Sequence, residues 1–264
     1  MPSNELREGD RAGPFELPLA PDLVHQFAAA TRDPRQQFRD GRLVPPSLLA
    51  TRVYQAQFAA MNELVPVEVF SQARTGVHGQ HDLLLHRPIT SDEKLHNFVD
   101  THSVRPAGDN LRITLHHAIL DDGEALVAEQ WWTTVLLGIT ATSTGPDLPD
   151  YTFVREQDAR VVAVDVVSVD DAMVRGYAEI SGDHSAHHFS VEAARRSGFE
   201  APFLHGLCTM ALCARAATTT VAEGDPSRVR RVAVRFAAPA FLGQDLRIEI
   251  FDRRGGGFAV EATC

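Results

Sequence analysis

"YAEISGDHSAHHFSVEAARRSGFEAPFLHGLCTMAL", residues 177–212, holds four of the chain's twelve histidines. It sets Asp183 five residues before His188 and places a His205-Gly206 pair at the head of an apolar run. Three kinds of chemistry use such residues: a bound metal, a nucleophile, or an activated water. The run itself, "HGLCTMALCARAATTTVAEG" (205–224), is long, apolar and rich in small residues, which predicts a helix covered on most sides.

Working outward, the same order of elements occurs earlier in the chain. Val24, Phe27, Ala28 and Asp33 repeat the spacing of Val174, Tyr177, Ala178 and Asp183, and Pro88 with Leu95 repeats Pro239 with Leu246. A second helical run, "PPSLLATRVYQAQFAAM" (45–61), follows the first set. β-rich segments come after each run: "HGQHDLLLHRPI", "EKLHNFVDTHSV", "NLRITLHHAIL" and "EALVAEQWWTTVLL" in the first half, then "RRVAVRFAAPAF", "DLRIEIFD" and "FAVEATC". The Pro, Gly and Asp of "TSTGPDLPDY" (142–151) mark a linker. The pattern predicts an α+β protein of two tandem units, residues 1–141 and 152–264. Each has a long helix wrapped by an antiparallel sheet, and their edge strands pair into one continuous sheet. Adjacent Trp131 and Trp132 are expected in a strand, one ring on each face.

Composition narrows the function. The 264 residues are 44% hydrophobic and 23% charged, which is that of an ordinary soluble globule. A formal charge of −10 argues against nucleic acid or an anionic membrane as the main partner. Three cysteines, Cys208, Cys213 and Cys264, are too few for a disulfide framework and suit a reducing compartment. Residues 1–22 lack an apolar core of signal-peptide length and no stretch approaches a membrane span, so a cytoplasmic location is expected.

The segment "SGDHSAHHF…GFEAPFLHGLCTMAL" resembles the MaoC-like, hydratase-2 family of hot-dog proteins, whose usual form is Ser-Gly-Asp-x-Asn-Pro-x-His, Gly-Phe, then His-Gly-Leu/Met. About thirty-five residues carry the resemblance closely. Two tandem units, the first degenerate, look like the double hot-dog (R)-specific enoyl-CoA hydratases. The resemblance implies reversible addition of water to a trans-2-enoyl-CoA, giving a (3R)-3-hydroxyacyl-CoA, with no metal or organic cofactor. A long-chain or bulky acyl group, a steroid side chain included, is the expected substrate. Fatty acid β-oxidation and steroid degradation are the settings weighed, and a homodimer is the candidate assembly. A hot-dog thioesterase and a non-catalytic acyl-CoA or acyl-carrier binding subunit are the rival readings.

The residues support the same chemistry. A carboxylate and an imidazole sharing one water can deliver hydroxide to the β-carbon and a proton to the α-carbon, so Asp183 and His188 are the expected catalytic pair. Charge developing on the thioester oxygen suits a backbone N–H at a helix N-terminus, and Gly206 allows close approach there. Ser181 is expected to shape the turn, His205 to hold the helix entry, and Ser185 to brace the site where the family has Asn. Ser185-Ala186 departs from Asn-Pro, which bears on rate and substrate preference. A zinc site from Asp183, His184, His187 and His188 is disfavoured because the histidines match no helical His-x-x-x-His pair and no cysteine lies near except within the following helix, and Cys208 is expected to pack in that helix. Asp33 keeps the place of Asp183, but Phe38 stands where the histidine would be, and "VPPSLL" replaces the His-Gly entry. The first half should therefore be silent and serve acyl-chain accommodation. Arg195, Arg196, Arg228, Arg230 and Arg231 are candidates, as a set, for CoA phosphates.

Overall fold

Alternating apolar positions in the first half become four long strands, and period-3.6 positions become short helices beside them. The computed structural model describes residues 10–40, 43–148, 156, 158–253 and 256–264. The end of the expected linker, residues 149–151, and the first nine residues lie outside that set. The chain packs as two compact units that interleave in sequence. The first draws on Met1–Leu19, Arg52–Asp150 and Arg230–Ala237, the second on Ala20–Thr51, Tyr151–Val229 and Ala238–Cys264. One boundary, between Asp150 and Tyr151, falls in the expected linker, while Ala20–Thr51 and Arg230–Ala237 pack with the opposite unit.

The strands of the first unit are β1 (Arg11–Glu16), β2 (Thr75–Leu85), β3 (Leu95–Ala107), β4 (Asn110–Asp121) and β5 (Leu126–Leu137). In the second unit, β6 (Val161–Ser168) precedes the helical stretch. A later strand, β7 (Arg231–Arg235), returns to the first unit and completes an antiparallel sheet of order β1-β3-β4-β5-β2-β7. Gly108, at φ +60°, allows the two-residue turn between β3 and β4. In the second unit β6 pairs with β8 (Asp245–Asp252), which pairs with β9 (Phe258–Thr263). Among the described residues the ladder is thus two sheets, not the continuous one expected. β7 ends at Arg235, with one further backbone bond from Phe236 N–H to Gly79 O (3.0 Å) before the Ala-Ala-Pro stretch.

Helices α1 (Pro21–Ala30), α2 (Gln36–Arg39) and α3 (Pro46–Arg52) come before α4 (Tyr54–Leu64) and α5 (Val67–Gln72). The single helix expected over 45–61 is therefore broken. Val53 has ψ −5°, flatter than an α-helix tolerates, and the axis restarts at Tyr54. Ala60 and Met61 of α4 and Val69 of α5 pack with Val99, Val104, Leu111, Ile113 and Leu115 of the sheet. Trp132 faces this side, against Tyr54 and His78, and Trp131 lies over His116 on the other, as alternation requires. The second unit adds α6 (Asp171–Ser181), α7 (Val191–Arg196) and α8 (Gly206–Val221). Residues Leu207, Cys208, Met210, Ala211 and Leu212 bury α8 on most of its circumference.

The inner face of the six-stranded sheet is not wholly apolar. Val99, His117, Gln130 and Leu83 are register partners on successive strands and share that face. Nε2–H of His117 donates to Gln57 Oε1 (2.9 Å) on α4, and its Nδ1 accepts from Asn97 Nδ2 (3.1 Å). His81 donates from Nε2 to Gln130 Oε1 at 2.7 Å. Burial holds both imidazoles neutral, lowering His81 from 6.5 to about 4 and His117 well below its ordinary value.

The sign of the pH dependence follows. Below 6.5 the unfolded chain protonates these rings while the folded one does not. Their contribution is complete above 6.5 and is lost as pH falls toward about 4. The slope is about 1.4 kcal/mol per pH unit for each ring. His102, also lowered by burial, adds to it. On the outer face, burial lowers His116 but its hydrogen bonds and charge pairing with Asp100 and Glu129 win and raise it. Its contribution is present below 6.5 and is lost as pH rises. Urea unfolding across this window should show stability falling on acidification, with a shallower slope in His117→Gln. A flat profile in the parent chain would contradict the buried, neutral assignment.

Candidate active site

The end of α6 builds the site. Gly182 caps the helix at φ +74°, donating its N–H to Ala178 O (2.8 Å), and this left-handed residue turns the chain so that Asp183 leaves the helix. Ser181 donates from Oγ to Tyr177 O (2.9 Å) and accepts the N–H of Asp183 (3.1 Å) at the turn. Asp183 Oδ1 then accepts from Ser185 N–H (3.1 Å) and Ser185 Oγ–H (2.6 Å). One carboxylate oxygen is held by the loop, and Oδ2 is left for chemistry.

A 3-10 turn, Ala186–His188, carries the histidine back toward it. Nδ1–H of His188 donates to Phe203 O at 2.8 Å, which fixes the tautomer and leaves Nε2 as a lone pair. That Nε2 lies 3.6 Å from Asp183 Oδ2, too long for a hydrogen bond. Both atoms can instead accept from one oxygen placed about 2.8 Å from each. His205 donates Nε2–H to Asp183 O (2.9 Å) and stacks on His188 with ring centroids 3.8 Å apart. Residue 205 thus holds both members of the pair and also enters α8, whose first residue is Gly206. His187 lies flat on Phe203 and brings Nε2 to 3.2 Å from His188 Nε2, whereas His184 is exposed.

Electrostatics sharpen the assignment. Burial pushes the Asp183 carboxyl up, but the neighbouring His188, the hydrogen bonds from Ser185 and the nearby His205 outweigh it and hold it below the carboxylate range. Burial, then the neighbouring His188, lowers His205 to about 4. Burial likewise pushes the Cys208 thiol up, and the side chain is 0% exposed within α8, so it packs, as its place in the run suggested. Asp183, His188 and His205 offer one donor atom each, all within 4.8 Å of one another, and could hold a metal ion. The zinc set considered in the sequence had included His184 and His187 and omitted His205.

Position by position, the first repeat has the same loop with different chemistry. Thr31 donates to Phe27 O (2.7 Å) as Ser181 does to Tyr177, and Arg32 takes the left-handed place of Gly182 at φ +52°. Asp33 accepts the N–H two residues on at 3.1 Å, matching Asp183. Here, however, the residue two on is Arg35, whose Nε (2.8 Å) and second guanidinium nitrogen grip the carboxylate. Phe38, wholly buried, lies 4.6 Å from the guanidinium in the place of His188. Asp33→Asn is expected to leave turnover per folded molecule unchanged while lowering stability by about 3 kcal/mol, since it strands a buried cation. Activity assays beside thermal melts check both halves of this statement. A catalytic loss with no change in melting would overturn it.

Neither Arg35 nor the Phe203 carbonyl was identified from the sequence. Arg35 could have been found by extending the repeat two residues past Asp33. The carbonyl had no side-chain signal. The proposed CoA arginines divide between the units. Arg195 and Arg196 are exposed on α7, with Arg196 paired to Glu192 (2.6 Å). Arg228 meets Glu223 at 3.2 Å, Arg230 donates to His86 O, and Arg231 grips the buried Asp82.

Residues 152–256 match the family model described as "MaoC like domain". The chain is 28% identical over 189 residues to the mouse "Peroxisomal multifunctional enzyme type 2", covering 71% of this chain and 25% of that protein. It is 26% identical over 186 residues to the Arabidopsis thaliana "Enoyl-CoA hydratase 2, peroxisomal", covering 66% of this chain and 59% of that one. The chain thus spans about a quarter and three-fifths of these two relatives. Among solved structures, a MaoC-like dehydratase from Phytophthora capsici superposes with a TM-score of 0.85 at 20% identity, over 98% of this chain and 90% of that one. A Mycobacterium tuberculosis protein described as having a double hot-dog fold gives 0.59 at 16% identity, over 98% and 91%. The fold is the double hot-dog, α+β with antiparallel sheets. Among the described residues no helix is long and apolar enough to cross a membrane.

Proposed function

Because residues 152–256 belong to the MaoC-like domain family, we propose that the protein reversibly hydrates trans-2-enoyl-CoA to (3R)-3-hydroxyacyl-CoA. One observation carries the reading. Asp183 Oδ2 and the lone pair of His188 Nε2 stand 3.6 Å apart, with the histidine's other nitrogen fixed by a carbonyl. A water between them gives one proton to Nε2 as its oxygen bonds to the β-carbon. The π electrons move toward the thioester oxygen, and Nε2 then returns the proton to the α-carbon. Asp183, kept ionised, orients the water and stabilises the transient imidazolium. The N–H of Gly206 donates to the thioester oxygen as negative charge develops there, aided by the positive end of α8. No metal or organic cofactor enters this scheme, and CoA is part of the substrate.

The finer reading is a long-chain or bulky acyl group, a steroid side chain included, with the degenerate half, residues 1–141, accommodating it. The small Ser185-Ala186 pair supports this by freeing volume beside the reacting carbons. Fatty acid β-oxidation or steroid degradation in the cytoplasm, by a homodimer, is the setting proposed.

The test is a panel of enoyl-CoAs, from crotonyl-CoA to long-chain and steroid side-chain substrates, followed by loss of enoyl absorbance and by product stereochemistry. Hydration that favours the larger acyl groups is the expected result. Thioester cleavage would favour the thioesterase reading. Binding without turnover on the whole panel would favour a non-catalytic acyl-CoA or acyl-carrier subunit.

A further inference from the structure

The pocket that activates water in the reading above also has the donor set of a transition-metal site. We infer that it captures Zn2+ in place of the reacting water and that the captured ion inhibits the protein. One donor atom from each of Asp183, His188 and His205 lies within 4.8 Å of the other two. Zinc holds nitrogen and carboxylate oxygen at about 2.0–2.2 Å, so donors on a tetrahedral ion stand about 3.4 Å apart. Closing the set needs side-chain shifts of about 1 Å, with the stacked His188 and His205 rings turning toward a common point.

The surroundings are those of prepared ligands. A metal-binding histidine commonly has its other N–H anchored on a carbonyl or carboxylate, which fixes the ring and aims the free nitrogen. His188 is anchored on Phe203 O (2.8 Å) and His205 on Asp183 O (2.9 Å). The nitrogens not anchored on a carbonyl are His188 Nε2 and His205 Nδ1. The second of these is buried and has no hydrogen-bond partner, although its residue is only 3% exposed. His187 Nε2 lies 3.2 Å from His188 Nε2, close to the edge of a tetrahedron around zinc, about 3.4 Å, and is the nearest candidate for a fourth ligand. Two or three imidazoles with one carboxylate suit zinc. They do not suit Mg2+ or Ca2+, which prefer six or more oxygens.

Inhibition follows from the same atoms. A zinc ion on His188 Nε2 takes the lone pair that must receive the water's proton, and on Asp183 it takes the oxygen that orients that water. The histidines of the first unit are the nearest rival for zinc. His86 and His116 share Glu129 there, and both nitrogens of His116 are already paired with carboxylates.

The experiment titrates ZnCl2 into the chelator-stripped full-length chain by calorimetry and CoCl2 by visible absorption. His205→Gln and Asp183→Asn are run in parallel, as is His116→Gln. The expected result is one stoichiometric site with a tetrahedral cobalt spectrum, weakened at least tenfold by the first two substitutions and untouched by the third. Hydration should fall in proportion to zinc occupancy, recover with EDTA and ignore MgCl2. The absence of a stoichiometric site would overturn the inference. So would affinity indifferent to His205→Gln and Asp183→Asn, or hydration raised by zinc. The inhibitory half rests on the hydratase reading, but the binding half does not. A chain that binds zinc as described yet hydrates nothing would sink that reading and leave the site standing.

Discussion

Asp183→Asn and His188→Gln are each expected to lower kcat by about 10²–10⁴-fold, the range that a positioned acid or base supplies. The double substitution should be little worse than either single, because groups that act on one water fail together. Both changes spare the architecture. An asparagine at 183 can still accept from Ser185 N–H and Oγ–H, and the backbone oxygen that His205 holds is unaltered. A glutamine at 188 can still donate an amide hydrogen to Phe203 O. Thermal melts should therefore change little while turnover collapses, a combination that a structural role would not give. Near-parental turnover in either single variant would remove that residue from the mechanism. If His188→Gln were the survivor, His187, with its Nε2 3.2 Å away, would be the base to examine next.

The candidate site residues come from one short stretch, whereas the sheet around them is built by distant pairing. Asp183, His188 and Gly206 lie within twenty-four residues, so turn chemistry and helix entry bring them together by local rules that a sequence displays. Ser181, Ser185 and His205 were named for the same reason, and the hydrogen bonds now give each a physical task. What stayed hidden was set by groups with no sequence signature, or by distant pairing. The Phe203 carbonyl belongs to the backbone. Arg35 looks like any surface arginine until Asp33 and Phe38 are seen to enclose it. The alternation of "RRVAVRF" identified a strand, yet nothing in it says that Val232 will pair with Leu83 across the sequence repeat. The break at Val53 was invisible for a different reason. Its neighbours are helix-compatible on both sides, and Val53 itself is a wholly buried residue with nothing in its sequence context to mark a break. Strand β1 was missed because "RAGPFE" contains Gly-Pro and has no alternation.

Gly206→Pro should reduce kcat by about 10²–10³-fold, whereas Gly206→Ala should remain far closer to the parent. Gly206 is the first residue of α8, and N–H groups in a helix's first turn have no partner within the helix. Proline fits this position well. Its fixed φ suits the first helical residue, and the hydrogen it lacks is one the helix does not use. The residue before a proline must be extended, and His205 already is, at φ −56° and ψ 134°. The substitution therefore deletes one donor and leaves the helix able to form. Alanine supplies the complementary control, since it adds a methyl group but keeps the N–H. If the donor meets charge that appears on the thioester oxygen only as the transition state forms, the loss will fall on kcat and spare KM. Equal losses in both variants would instead assign the effect to crowding. A proline variant that melts normally and turns over like the parent would pass the oxyanion role to another group, with the N–H of Leu207 the next along the same helix end.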